Sequence, residues 1–542
     1  MLAAAPAQAA TDPGDEALSA FVRARLAEEA GEPAAALLEL TTVASLAPDL
    51  PGVRGRILEQ AIQAGDLPAA RSAAAVLWKS GDRRFDAQLV LLVDALRRSD
   101  WKGARDVMGG RPDKAGVDAV AKLITPAINA WVDVGAREKR PERHLIAASP
   151  VARPEPALLL EAALVELAAR RPADAVALVD TITLSDRSSQ LVALRVAASL
   201  DKAGEAAAAE RLRGRIALAA GERDDPLLLL PDQPVATPRA GVAHWLGLLA
   251  DGLSRTPHGS PTVPLLFART AYWLNEGDQQ VRTTLVEALD RNGQRDDAMA
   301  LLTEDGAALP PVLAMRRAEL IADGGDMKGA LATAEAAVAG ETPPRSLLLR
   351  LADLARRSDD SDAAMRAYAR LEASLTDGEE DAALRALLLI SRADLLLKAG
   401  DWDGAAPLIE QAVALRPGDA AVLNFAGYSA IERRKNVEQS LERIEAAWRK
   451  EPQDPSITDS LGWAYFLSGR IDDAVPLLEK AQRGDPENSV IVEHLGDAYW
   501  KAGRRFSARY VWRAAALGAE ADMATRITAK LRDGLTPATV AP

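Results

Sequence analysis

Small and apolar residues recur along this chain in a fixed order, most plainly in its C-terminal third. Leu461-Gly462-Trp463-Ala464-Tyr465 is followed by Gly469, Ala474, Leu478, Ala481 and Pro486. Thirty-four residues later the order returns as Leu495-Gly496-Asp497-Ala498-Tyr499, then Gly503, Ala508, Trp512 and Ala515. Upstream, Ala426-Gly427-Tyr428 leads to Ala447 and Pro452 with one extra residue, and Ala393 leads to Gly400, Ala405, Ile409, Ala412 and Pro417. This order predicts two helices joined by a turn. Small residues at the eighth and twentieth positions let the two helices cross closely. Gly near the fifteenth position ends the first helix in a left-handed conformation. Pro near the thirty-second cannot continue the second helix.

Followed backward, the pattern starts units at Ala17, Pro51, Phe85, Pro156, Gln190, Gln279, Pro311, Arg345, Ala386, Ala420, Pro455 and Ser489. The twentieth position is Ala in eleven of these twelve. Two stretches break the pattern. Residues 112–155 hold an apolar helix from Leu123 to Val134 and then the charged run Arg137-Glu138-Lys139-Arg140. Residues 221–240 are rich in Pro and charge and include Leu227 to Leu230 between Pro226 and Pro231. That stretch reads either as a hinge or lid, or as an ordered loop docking its leucines on the array. After Ala519, Met523, Ile527 and Leu531 share one face of a solvating capping helix, and residues 534–542 read as a disordered tail.

The pattern resembles the tetratricopeptide repeat, a helix–turn–helix unit of 34 residues. The resemblance implies an all-α fold, an α-solenoid wound as a right-handed superhelix of about 12–14 units. It divides the chain into a disordered segment 1–16, an N-terminal array 17–220 with a degenerate unit at 112–155, and a linker or loop 221–240. A central array 241–385 follows, its first helix pair irregular, then consensus units 386–518 and a capping helix and tail 519–542. Composition agrees, since Ala is abundant and aromatics are only 4%, which favours helix over strand.

Charge and residue types remove several functions. With no Cys and four His at no metal-ligand spacing, no thiol chemistry is available and no metal or other cofactor is expected. No catalytic motif occurs, so the chain is read as non-enzymatic. A net charge of −13 opposes general binding to nucleic acid or anionic membranes. No apolar stretch is long enough to span a bilayer. Oligomeric state stays open.

The resemblance places first helices on a concave surface that binds peptide or helix segments of other proteins. Carried onto this chain, the groove positions include Asn424, Tyr428 and Glu432, then Asp459, Trp463 and Phe466, then Glu493, Asp497, Trp500 and Lys501. Two readings of the rings stand side by side: Trp463, Phe466 and Trp500 face the groove as anchors, or they pack between units. The chaperone-binding members of the family use Lys at the fifth and Asn at the ninth position, and these units do not. One basic cluster remains, Lys501, Arg504, Arg505, Arg509 and Arg513, with Phe506 and Tyr510 interleaved. It is either a solvated face or a site for phosphate, nucleic acid or lipid headgroups.

The spelling of residues 386–518 is similar to long tetratricopeptide proteins of proteobacterial envelopes, carried by Leu423 to Tyr428, Ile457 to Trp463, Val492 to Trp500 and Gly503-Arg504-Arg505. That group includes a lipoprotein adaptor of a carboxy-terminal processing protease that delivers cell-wall hydrolases. Ala7-Gln8-Ala9 reads as the remnant of a signal-peptide cleavage site. Together these imply a periplasmic scaffold whose partners include a protease or cell-wall hydrolase. A protease regulator and a cytoplasmic assembly factor are the alternatives.

Overall fold

The computed structural model describes residues 13–109, 117–146, 155–220, 226–230, 232–256, 259–303, 309–358 and 360–541. The signal-peptide reading at Ala7-Gln8-Ala9 therefore lies outside the described residues. Among those described, the fold is all-α: helices follow one another through short turns, with no strand. Helices begin at Phe85, Pro156, Gln279, Pro311, Arg345, Ala420, Pro455 and Ser489, where the sequence pattern starts a unit. The helix Glu379–Lys398 is the clearest departure, beginning seven residues before Ala386.

Local chemistry sets the boundaries. Asp66, Asp326, Asp360 and Asp401 each accept a backbone N–H at the start of a helix. Asp278, Asp419, Asp454 and Asn488 do the same. Each cap contributes about 1 kcal/mol. Gly400, Gly469 and Gly503 turn the chain at φ near +80°, a conformation that side chains with a Cβ disfavour. The packing constraint is sharper. Ala36, Ala70, Ala104, Ala175, Ala209, Ala298, Ala330, Ala405, Ala474 and Ala508 are all fully buried. Opposite them, a Cβ on Gly462 would lie 2.8 Å from Leu478, and one on Gly496 would lie 2.3 Å from Trp512.

The exception has a local cause. The extra residue upstream is absorbed between Arg433 and Asn436, where Arg434 and Asn436 take left-handed φ of 54° and 44°. Ser440 then sits at the crossing and is buried, its hydroxyl donating to the Lys435 carbonyl at 3.1 Å.

The chain divides into two compact units, Met1–Leu354 and Ala355–Pro542. The expected linker or loop at 221–240 lies inside the first unit, and the expected start of consensus units at 386 lies inside the second. The described part of 221–240 is docked: Leu230 and Val235 are buried, and the Val235 N–H donates to Ser199 Oγ at 3.0 Å. Arg195 reaches the Gln233 carbonyl at 3.1 Å while pairing with Asp278 at 2.5 Å. Within the first unit the array doubles back on itself. Gln294 and Arg269 both donate to the Gln63 carbonyl, at 3.1 and 3.0 Å, and Phe85 meets Phe267 edge-on at 5.9 Å.

The helix Val117–Gly135, from the irregular stretch 112–155, carries the buried Trp131. Its indole donates to Glu161 Oε1 at 2.6 Å. Glu161 Oε2 lies 3.5 Å from His244 Nε2, and neither atom has a hydrogen-bond partner among the described residues. Burial pushes the Glu161 carboxyl up to about 8, against the stabilising indole bond. Burial also pushes His244 down to about 3, with Arg195 adding to the shift. The core therefore holds both groups neutral.

Two predictions follow from this packing. Gly496→Ala forces Trp512 aside and should destabilise the local helix pair by about 1–3 kcal/mol. Hydrogen exchange should rise about 5- to 150-fold over Arg505–Ala515; unchanged protection would show that the crossing tolerates a Cβ. The Glu161 carboxyl is the second. An unfolded Glu loses its proton near 4.5 and the folded one near 8, so this group costs stability as pH rises through that window. The buried His244 acts oppositely, costing stability as pH falls from 6.5 toward 3. Glu161→Gln should flatten the fall in thermal midpoint between pH 6.5 and 8, and between pH 6.5 and 4.5 it should uncover the acid-side fall from His244 that Glu161 offsets in wild type. Identical profiles for both proteins would refute the assignment.

Candidate partner-binding groove

Three first helices, Ala420–Glu432, Pro455–Leu467 and Ser489–Lys501, carry the groove positions. The structure brings these residues together but leaves few of them open. Trp463 is fully buried, and Phe466, Asp459, Glu493 and Asp497 are buried with it. Asn424, Tyr428, Glu432 and Trp500 are half-buried, and Lys501 is exposed. Of the two readings of these rings, the burial of Trp463 and Phe466 fits packing among the repeats. They share a buried cluster with Ala474, Val475 and Leu478 of their own hairpin and with Leu495, Ala498 and Ala541 beyond it.

The cluster is built from the residues upward. Trp463 stacks with Phe466 at a centroid distance of 4.5 Å and with His494 at 3.9 Å, both within 9° of parallel. His494 Nδ1 is held 2.9 Å from Asp459 Oδ2. Tyr428 packs against this cluster, and burial, with Glu432 and Asp459 nearby, raises its phenol well above the usual range. Ion pairing then closes the end of the array. Arg526 clasps Glu493 through two bonds of 2.9 and 2.8 Å. Lys530, itself fully buried, donates to Glu493 at 2.6 Å and to both oxygens of Asp497 at 2.7 and 2.8 Å. Trp512 adds a bond to Asp497 at 2.9 Å. Burial alone would raise the Glu493 carboxyl, but Arg526 and Lys530 outweigh it and hold it low.

The helix Ala521–Asp533 is therefore bound inward by Arg526, Ile527 and Lys530, with Ile527 buried beside Trp512. The tail beyond it is not disordered, which corrects the expectation for 534–542 over its described part, 534–541. Gly534 has φ +82°, and a Cβ there would lie 2.2 Å from Trp500. The chain passes directly over the Trp500 ring and back along the repeats. Leu535 and Val540 pack on the Trp463 cluster, and Ala541 is buried in it. The Ala541 N–H donates to Asp497 Oδ2 at 3.0 Å. The groove thus holds residues 535–541 of its own chain.

Sequence reasoning missed Arg526, Lys530 and Gly534. Their signal was present: Glu493 and Asp497 are four apart, as are Arg526 and Lys530, so each pair shares a helix face.

Residues 390–455, 426–489 and 460–524 match the tetratricopeptide repeat family. The end of the chain carries tetratricopeptide repeats. A repeat-containing protein of Pseudomonas aeruginosa is 28% identical over 134 residues, which is 25% of this chain and 22% of that protein. The chain thus matches about a fifth of that relative's length. Among solved structures, a repeat protein from Parabacteroides merdae aligns at TM-score 0.37 and 15% identity, over 46% of this chain and 94% of its own. Yeast Tom70 aligns at TM-score 0.37 and 13% identity over 96% of each chain. Among the described residues, no helix is long and apolar enough to cross a membrane.

Lys530 supplies the charge that compensates Glu493 and Asp497. Lys530→Met should cost about 3–5 kcal/mol, because it leaves the buried Asp497 without its ion-pair partner. Limited proteolysis should then cut near Gly534, while Lys501→Met, at an exposed position, should leave the pattern unchanged. Resistance of the Lys530 variant would show that the clasp does not hold the segment.

Proposed function

We propose that this chain is a non-catalytic scaffold that binds protein partners through the groove of residues 420–501. The observation that supports this most directly is the segment in that groove. Leu535, Val540 and Ala541 supply apolar contacts there, and one backbone N–H meets a buried carboxylate. A partner segment with two or three small or branched apolar side chains and a free N–H toward Asp497 would fit the same surface once 535–541 leaves. Tyr428, Trp463, Phe466 and Trp500 then become the contact surface, with Asn424, Glu432, Asp459, Glu493 and Lys501 at its edges.

The finer reading is an adaptor of the bacterial envelope. It rests on the similarity of residues 386–518 to envelope repeat proteins and on Ala7-Gln8-Ala9. The partner would be a carboxy-terminal processing protease or a cell-wall hydrolase, the chain presenting one to the other or raising the protease's turnover.

The test frees the groove without disturbing its floor. Leu535→Ser with Val540→Ser should undock the segment, because each substitution removes apolar contact. A labelled peptide spanning residues 535–541 should then bind the full-length variant at least about tenfold more tightly than wild type. Equal binding by the two would remove the groove from the function. Purified carboxy-terminal processing protease, mixed with the variant, should show higher turnover; no change at saturation would dismiss the protease role alone.

A further inference from the structure

From Lys501 to Ala519 the chain holds five cations, Lys501, Arg504, Arg505, Arg509 and Arg513, and no carboxylate. This is unusual in a chain of net charge −13. The acidity lies elsewhere: residues 1–419 hold 48 Lys+Arg against 61 Asp+Glu, and residues 420–542 hold 17 of each. Of the five cations, Arg504 alone pairs with a carboxylate among the described residues, Glu479 at 3.1 Å.

The helix Arg505–Ala515 presents two faces. Ala508, Trp512 and Ala515 are buried inward. Outward, Phe506 is 88% exposed, Tyr510 70% and Leu517, just past the helix, 91%. Positions 506, 510, 513 and 517 step by four, three and four, which is a single stripe. Arg513 lies in that stripe, and Arg505 and Arg509 flank it. The flanking pair is fixed, with guanidinium groups over the Trp500 ring at 5.3 and 5.0 Å. Soluble surfaces seldom leave large apolar side chains so free when they fall side by side.

We propose that this face docks on an anionic lipid surface. Side chains exposed to this degree protrude; they do not line a cleft, so they suit a deformable medium better than a preformed pocket. Rings and a leucine entering the headgroup boundary, with arginines at the phosphate level, are the interfacial arrangement of amphipathic helices. A nucleic acid or an acidic protein would use the same arginines. Neither makes particular use of Leu517, an aliphatic side chain that cannot stack. Phe506, Tyr510 and Leu517 point away from the groove, while Arg505 and Arg509 lie over Trp500 at its edge.

Sedimentation of the full chain with vesicles tests it. Wild type should bind phosphatidylcholine vesicles containing phosphatidylglycerol and not vesicles of phosphatidylcholine alone, with binding falling as salt rises. The variants Phe506→Ser/Tyr510→Ser/Leu517→Ser and Arg505→Gln/Arg513→Gln should each bind at least about tenfold more weakly. Circular dichroism should show unchanged helicity, since every altered side chain is exposed. Failure of wild type to bind, or equal binding by the serine variant, would overturn the proposal. So would tighter binding to poly-glutamate or single-stranded DNA that survives the serine substitutions.

Discussion

Everything in this fold hangs on how closely two helices of one hairpin can approach. Where Gly427, Gly462 and Gly496 meet the second helix of their own hairpins, a single methyl cannot be added without moving a neighbour. At Gly427 the obstacles are Ile444 and the Ser440 carbonyl, at 2.6 and 2.7 Å. Close crossing buries the remaining apolar side chains of each hairpin between it and the next. Hairpins of this kind have little core of their own and gain it by stacking. The same contacts then repeat with the sequence. Tyr465 donates to Glu445 at 3.0 Å under Arg470, and 34 residues on Tyr499 donates to Glu479 at 3.0 Å near Arg504.

A stack has ends, and an end exposes the face that the next unit would have covered. The last hairpin meets this problem through charge as well as apolar burial. Glu493 and Asp497 project where a following repeat would pack, and Arg526 and Lys530 of the helix Ala521–Asp533 neutralise them. An ion cluster of this kind gains little net stability over an apolar one, but it is costly to break from one side. It fixes the register of the closing helix, because only one rotation places both cations on both anions. Once that helix is placed, Gly534 directs the following residues over Trp500 into the groove.

The repeating parts of the molecule were legible in the sequence because each is a local steric demand that recurs. Gly462, Ala474 and Gly469 do the same jobs as Gly496, Ala508 and Gly503. The groove was legible only halfway. Helical period groups Trp463 with Phe466, yet period says nothing about what lies across from them. Their cover comes from His494 in the next unit and from Val540, a distant part of the chain. Such pairings occur once, so no periodicity announces them. The doubling back of the first unit is of the same kind. Gln63 accepts from Arg269 and Gln294, more than 200 residues away, and neither contact belongs to the repeat.

A groove filled by its own chain changes what a partner must do. The resident segment is tethered through Gly534, so its effective concentration at the groove is on the order of millimolar. A partner making only the contacts of Leu535, Val540 and Ala541 would have to exceed that concentration to displace it. A useful partner therefore needs additional contacts, and the acidic and aromatic positions not used by the segment are where it could find them. Among the described residues, the buried Asn424 Oδ1 has no hydrogen-bond partner, and Asp459 Oδ1 and His494 Nε2 are in the same condition. Three unmatched buried polar atoms are a poor arrangement for stability alone. A ligand that satisfied them would gain what the resident segment leaves unused, and would be told apart from it by polar complementarity rather than by apolar area.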